Sequence, residues 1–303
     1  MNYSDDKKNY NLLKDVYLGK KYVEDFGELG EFKTKIEIAI SLIETLIEII
    51  PSILTRKPKF VFDSWFLAKS VVSTLKKYDL KYISRAKSNR VIVGLDMNLK
   101  EYALNVLKDS DFRMIKIQSS NKVQTEFIYT TVLPLSNLGD VKISFIKNKL
   151  NGPIKLFIVS NDLKLSENEL IKIYKERWCI ETDYKNNKQY LGLSDFHLRK
   201  KEGILRYLTL CFLVSTYLEY CRLMGIFGHC FGKEIDLSSK GKEVRAYQHL
   251  LFERFVIWLD YQFSKGKNLQ DLLKFFRDDN AQYKENIQFV QYSTHLSLEM
   301  SAV

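Results

Sequence analysis

Four residues in the stretch 166–192, SENELIKIYKERWCIETDYKNNKQYLG, have the types that phosphoryl-transfer chemistry uses. They are a phenol at Tyr174, a guanidinium at Arg177, a carboxylate at Glu181 and an ammonium at Lys188. The last three lie three, seven and fourteen residues beyond Tyr174, and at about 100° per helical residue all four fall within roughly 60° of one another. A carboxylate on such a face can hold a divalent cation, and flanking cations can position a polyanion. The alternative is a solvated helix face laced with ordinary ion pairs. A second carboxylate, Asp63, closes the short apolar run 59–62, KFVF. At the carboxyl end of a buried strand in an α/β unit, such a group points into the crevice where ligands sit. Its alternative is a helix N-cap, for which Asp63 or Ser64 would serve.

The elements that must position these groups follow from patterning. Ser166 and Glu169 have capping-box spacing and Gly192 is a natural stop, so the spacing predicts one long helix over 166–192. Residues 10–18, YNLLKDVYL, read as a strand. The apolar period over 32–50, ended by Pro51, reads as a helix, as does the spacing over 64–75. The segment 80–90, LKYISRAKSNR, reads as a further strand bearing Lys81, Arg85, Lys87 and Arg90. From 91 to 160 the pattern is strand-like throughout, with turn residues such as Ser119, Ser120, Asn121, Gly139 and Asp140 between strands. Helices are expected at 203–224, about 244–263 and 269–277. Trp178 and Trp258 read as core residues, and Arg199 and Lys200 extend the positive face.

Composition bounds the partners. The chain has 303 residues, 46% of them hydrophobic, enough for a large core. A net charge of +10 fits a polyanion such as nucleic acid. The four cysteines show no CxxC spacing, which argues against zinc and against a disulfide framework. The apolar run 207–218 is too short to span a bilayer and reads as a buried core helix. No secretory pattern opens the chain. These features predict a cytoplasmic protein with no membrane partner.

The spacing Tyr174, Arg177, Glu181, Lys188 resembles the signature around the catalytic Glu of insertion-sequence transposases of the DDE type. The resemblance implies an α/β fold: a ribonuclease H-like mixed sheet flanked by helices, with a β-rich insertion before the signature helix and a helical C-terminal part. It divides the chain into residues 1–88 and 161–225 for the core, 89–160 for the insertion and 226–303 for the helical end. It implies that Asp63 and Glu181 are catalytic ligands of Mg²⁺ or Mn²⁺. Tyr174, Arg177, Lys188, Arg85, Lys87, Arg199 and Lys200 then face double-stranded DNA, both transposon ends and target. The implied setting is prokaryotic, with the protein on the nucleoid when bound.

One part of the family pattern is missing. The first of the three acids normally ends an earlier core strand, and only one strand is expected before the helix of 32–50. Asp5, Asp6 and Asp15 are the only acids near enough, and none follows an apolar strand. The expectation is therefore an N-terminally truncated or split enzyme, inactive alone, or an inactive DNA-binding remnant. A homodimer or an N-terminal partner segment supplying the first Asp would cover the exposed sheet.

Overall fold

The computed structural model describes residues 1–4, 9–25, 31–119, 122–226, 229–230 and 233–277. In chain order the elements are β1 (Asn2–Ser4), β2 (Asn9–Asn11), α1 (Lys20–Asp25), α2 (Lys35–Ile49), α3 (Ile53–Arg56), β3 (Lys59–Phe62), α4 (Lys69–Lys77), β4 (Lys81–Arg85), β5 (Val91–Ile92) and β6 (Met97–Asn98). There follow α5 (Leu99–Asn105), β7 (Arg113–Ser119), β8 (Lys122–Leu135), β9 (Gly139–Lys147), β10 (Ile154–Ser160), α6 (Glu167–Glu176), α7 (Trp178–Tyr190), α8 (Lys201–Leu223), β11 (His229–Cys230), β12 (Lys233–Glu234), α9 (Lys240–Ser264) and α10 (Leu269–Arg277). Contacts divide the chain into one unit of residues 1–185 and 195–210 and another of 186–194 and 211–303.

The first unit is built on an eight-stranded mixed sheet in the order β3-β4-β10-β9-β8-β5-β6, with β7 also paired to β8. The pair β3–β4 is parallel, with Phe62 opposite Ser84, and β10 runs antiparallel to β4. Alternation sends side chains to two faces. Tyr82, Val141, Ile143, Phe145 and Val159 join Ile43 and Leu46 of α2 and Val71 and Leu75 of α4 in one core. Ile83, Ile128, Ile146 and Ile158 meet Leu170, Ile171 and Tyr174 of α6 in the other. Burying an aliphatic side chain of this size contributes about 1.5–3 kcal/mol, so the apolar stripe of α6 suffices to clamp that helix to the sheet.

The expected mixed sheet flanked by helices is present, with several local differences. Residues 10–18 do not form a core strand: only Asn9–Asn11 is extended, and it pairs with β1 alone. Consequently β3 has β4 as its one neighbour among the described residues, and it is an open edge. The helix expected from 64 starts at Lys69, after a turn closed by the Phe66 N–H on the Asp63 carbonyl at 2.9 Å. The stretch 91–160 contains a helix, α5, whose N-cap Asn98 and Glu101 form a capping box. Its strands hydrogen-bond into the sheet that holds β3 and β4, β10 pairing with β4. Leu210 and Leu213 of α8 are both 61% exposed, so 207–218 is not a wholly buried helix. Cys179, Cys211 and Cys221 are in no disulfide among the described residues.

The long helix of 166–192 is two helices. α6 begins as expected, with Ser166 Oγ accepting the Glu169 N–H at 3.3 Å and Glu169 accepting the Ser166 N–H at 2.9 Å. At Arg177 the ladder tightens. Its N–H reaches the Tyr174 carbonyl at 3.1 Å, and the Ile180 N–H reaches the Arg177 carbonyl at 3.1 Å. These i to i+3 bonds are the 3₁₀ pattern that marks a break between helical segments, and neither Pro nor Gly is present there to announce it. Gly192, at φ 66°, stops α7 as its position predicts.

Candidate active site

Parity along the strands decides where Asp63 points. Phe60 and Phe62 of β3 pack with the α2 and α4 core, and Val61 packs with the α6 core. Asp63, one residue beyond, therefore falls on the α6 side. In β4, Tyr82 joins the first core and Ile83 the second, so Arg85 also falls on the α6 side. One step past the Phe62–Ser84 pair, Asp63 and Arg85 stand side by side at the carboxyl ends of the two parallel strands, where ligands of α/β sheets bind. The N-cap alternative for Asp63 is excluded: α4 is capped by Ala68, and Asp63 Oδ1 accepts the Ser64 N–H at 2.7 Å.

α6 brings the signature residues to that end. Tyr174, expected on the DNA surface, is instead only 8% exposed and backs the Arg177 guanidinium, which lies 5.8 Å from its ring centroid. Burial pushes the Tyr174 phenol above its ordinary pKa, the positive charges of Arg177 and Arg85 pull it down, and the negative charge of Asp63 raises it further. One buried phenol thus feels both strand-end residues and the α6–α7 junction. Asp63, Arg85, Tyr174 and Arg177 share an electrostatic neighbourhood.

Arg177 Nη1 donates to Glu181 Oε1 at 2.6 Å, one turn along α7. This pair is incomplete. Arg177 Nε and Glu181 Oε2 are both buried and have no hydrogen-bond partner among the described residues, although 39% of the Glu181 side chain is exposed. A buried polar atom left unpaired costs about 1–3 kcal/mol. The leftover donor and the leftover carboxylate oxygen belong to the residue types that take a phosphate and a divalent cation, respectively.

The remaining sequence-derived residues divide. Lys87 is exposed past the end of β4. Its ammonium lies 5.2 Å from the centroid of the Trp65 ring. Lys188 is exposed farther along α7 and falls in the second unit. Arg199 and Lys200 are exposed in the segment before α8. Two other basic residues of 80–90 are engaged locally, Lys81 with Asp79 at 3.3 Å and Arg90 with the Leu67 carbonyl. Trp178 is 65% exposed, contrary to the expectation of a core residue, whereas Trp258 is buried. Asp15 is exposed and its Oδ1 accepts the Val16 N–H at 2.7 Å. Asp5 and Asp6 lie outside the described residues.

Sequence reasoning missed two features. Asp183 on α7 is buried and accepts from Asn2 Nδ2 at 3.2 Å, tying the N-terminal strand to the signature helix. Along the open edge of β3 runs a groove of about 970 Å³, lined among others by Leu42 and Leu46 of α2, Phe60 and Phe62 of β3, and Arg177 and Ile180 at the α6–α7 junction. The signal for the first was its spacing from Glu181, two residues, which sets it on another face of α7. The second has no local signal.

Among the described residues no group of three His, Cys, Asp or Glu side chains could hold a metal ion, and no helix is long and apolar enough to cross a membrane. Asp63 and Glu181 are of the residue type that takes a divalent ion, and two carboxylates fall short of the shared-carboxylate set of a two-ion site. The family model described as transposase DDE domain matches residues 38–217, more than half of the chain and inclusive of both acids. No curated protein matches the chain.

Proposed function

Because the chain belongs to the transposase DDE-domain family, we propose that it acts on DNA at transposon ends, by hydrolysis of a phosphodiester and then attack of the freed 3′-hydroxyl on target DNA. The observation that carries this reading is the incomplete Arg177–Glu181 pair, backed by Tyr174, whose phenol also feels the charge of the strand-end Asp63. Asp63 and Glu181 are the proposed holders of Mg²⁺ or Mn²⁺. A bound ion of this kind polarises a phosphoryl oxygen and lowers the pKa of its water. Arg177, bound to Glu181 through Nη1, backed by Tyr174 and with Nε left over, takes a phosphate oxygen with its fork of donors. Arg85, Lys87, Lys188, Arg199 and Lys200 supply further phosphate contacts, which position the duplex without reading its sequence.

Cleavage through two ions needs a third carboxylate, and the open edge of β3 suggests its source. An edge strand presents a row of unpaired N–H and C=O groups that template another strand. The apolar groove beside it is lined in part by Arg177. We propose that a partner segment of the kind that carries the first Asp in this family pairs there and delivers its acid toward Glu181. The competing reading, an inactive DNA-binding remnant, draws on the lack of a three-acid cluster among the described residues.

Nicking of a plasmid carrying the cognate end separates these readings. The expected outcome is negligible cleavage by the chain alone in Mg²⁺, a trace at most in Mn²⁺, and restored cleavage when a second polypeptide carrying a strand of the kind that bears the family's first Asp is added. Restoration must vanish in Glu181→Ala. No restoration favours the remnant. Robust cleavage by the chain alone that disappears in Glu181→Ala shows that an acid already present completes the site, and the edge-pairing proposal then falls.

A further inference from the structure

On the α6 side of the sheet, Glu126 of β8 is 4% exposed, and the ammonium groups of Lys155 and Lys175 each stand 3.7 Å from its Oε1. We infer that Glu126 is a positioning residue, holding Lys155 and Lys175 as a clamp for a phosphate of the DNA strand that leaves the candidate site past Arg85; the inference rests on the DNA reading above.

Three elements supply the cluster. Glu126 precedes Phe127 in β8 and shares the face of Ile128, which packs in the α6 core. Lys175 lies in the last turn of α6. Lys155 arrives by an irregularity in β10: Ile154 packs with the α2 and α4 core and Leu156 with the α6 core, although residues two apart in a regular strand share a face. The register with β9 shifts between them, from Ile154 opposite Lys147 to Leu156 opposite Ile146. Lys155 is the extra residue of this bulge, a device that re-aims a side chain, and here it turns an ammonium toward Glu126.

The cluster is built unlike a structural ion pair. Lys240 and Glu243 close to 2.6 Å, and the Lys240 side chain is 10% exposed. At 3.7 Å neither Lys155 nor Lys175 is within hydrogen-bond reach of Glu126, and Glu126 Oε2 is buried with no hydrogen-bond partner among the described residues. The two lysine side chains stay 49% and 39% exposed. The carboxylate thus attracts both cations without using up their donors, three on each ammonium, and these remain open to an anion from solvent. The place fits as well. β10 runs antiparallel to β4 with Ile158 opposite Arg85, so Lys155 lies three residues farther out, at the end of the sheet that carries Asp63. Three residues of strand span about 10 Å, close to three nucleotides of a DNA strand at about 3.4 Å each. A backbone held at Asp63 and Arg85 that continues beside β10 meets both ammonium groups.

The test is binding of a fluorescein-labelled duplex to the full chain, read by anisotropy over a series of salt concentrations. Lys155→Ala and Lys175→Ala should each lower the slope of log K against log salt by about 0.9, one phosphate contact apiece. Lys175→Arg should keep the slope, and Lys76→Ala, on the exposed side of α4, should not change it. Glu126→Gln decides the role of the carboxylate: although it adds one unit of positive charge, it should lower the slope, because the lysines lose what holds them together. Tighter binding with a parent-like or steeper slope in Glu126→Gln would show that the carboxylate only neutralises the lysines, and would overturn its positioning role. If Glu126→Gln fails to fold, the two lysine variants decide. A parent-like slope in both of them, with Arg177→Ala still lowering it, overturns the clamp and leaves the DNA reading standing. If the parent does not bind the duplex, the DNA reading is overturned and this inference falls with it.

Discussion

Two regions bring opposite charges together on helices, and they treat them differently. In the second unit α8 and α9 share a closed network. Arg222 Nη2 reaches Glu219 Oε1 at 2.6 Å and its Nε reaches Glu243 Oε1 at 3.4 Å, while Lys240 Nζ reaches Glu243 Oε2 at 2.6 Å and Glu219 Oε2 at 3.8 Å. The Glu219 and Glu243 side chains are at most 9% exposed, and two cations answer two carboxylates. At the α6–α7 junction of the first unit a single bond joins Arg177 to Glu181, and each keeps a buried atom with no partner among the described residues. Buried charge that is matched inside the protein serves the fold. Buried charge with donor and acceptor left over is stable only at a cost, and an incoming phosphate or cation can offset it.

This contrast predicts opposite responses to truncation. Glu243→Ala removes one of the two carboxylates that face Arg222 and Lys240 and should destabilise by about 3 kcal/mol, the low end for a broken buried pair because Glu219 still faces both cations. Glu181→Ala removes one i,i+4 pair and one unpaired oxygen, so its stability should stay within about 0.5 kcal/mol of the parent. Urea unfolding followed by helical circular dichroism reads both. Equal losses would erase the distinction between the two clusters.

DNA affinity should order the regions the other way. Arg177→Ala combined with Lys188→Ala is expected to lower the slope of log K against log salt by about 1.8, two phosphate contacts at about 0.9 each on duplex DNA. A surface control, Lys242→Ala, whose ammonium pairs with Asp236, should leave the slope alone. Parent-like affinity and slope in the double variant would reduce the basic face to a solvated one. The smallest effect is ionic: Mn²⁺ at ten times its dissociation constant should raise stability by about 1.4 kcal/mol. Glu181→Gln and Asp63→Asn should each abolish that gain, and Glu243→Gln should preserve it. A gain that survives both site variants would place the ion elsewhere.

Several of the local elements were readable in the sequence. KFVF before Asp63 marks a strand end, and the offset of three from Tyr174 to Arg177 sets these two side by side at the end of α6, whereas the break at Arg177 left no such mark. The capping box at Ser166 and Glu169 stands as its spacing predicts. The same signal, Asn98 followed by Glu101, announced α5 and was overridden by the strand-like surroundings. Tyr174 shows where local reading ends: its spacing places it beside Arg177, but only packing against Ile83 and Ile158 shows that it supports Arg177 from within.

By itself the sequence determined most of the elements and the faces within them, because strand alternation, helical period and capping are set by neighbours a few positions away. It also determined the excess of positive charge. Tertiary structure alone decided that β3 is an edge, that Asp63 and Arg85 stand together on the α6 side, and that Trp65 and Trp178 face water. It likewise decided that Arg177 and Glu181 each keep an unpaired atom. Each of these depends on which distant segment occupies the adjoining space. Strand order, exposure and hydrogen-bond satisfaction are properties of such long-range pairing, to which no window of neighbouring residues has access.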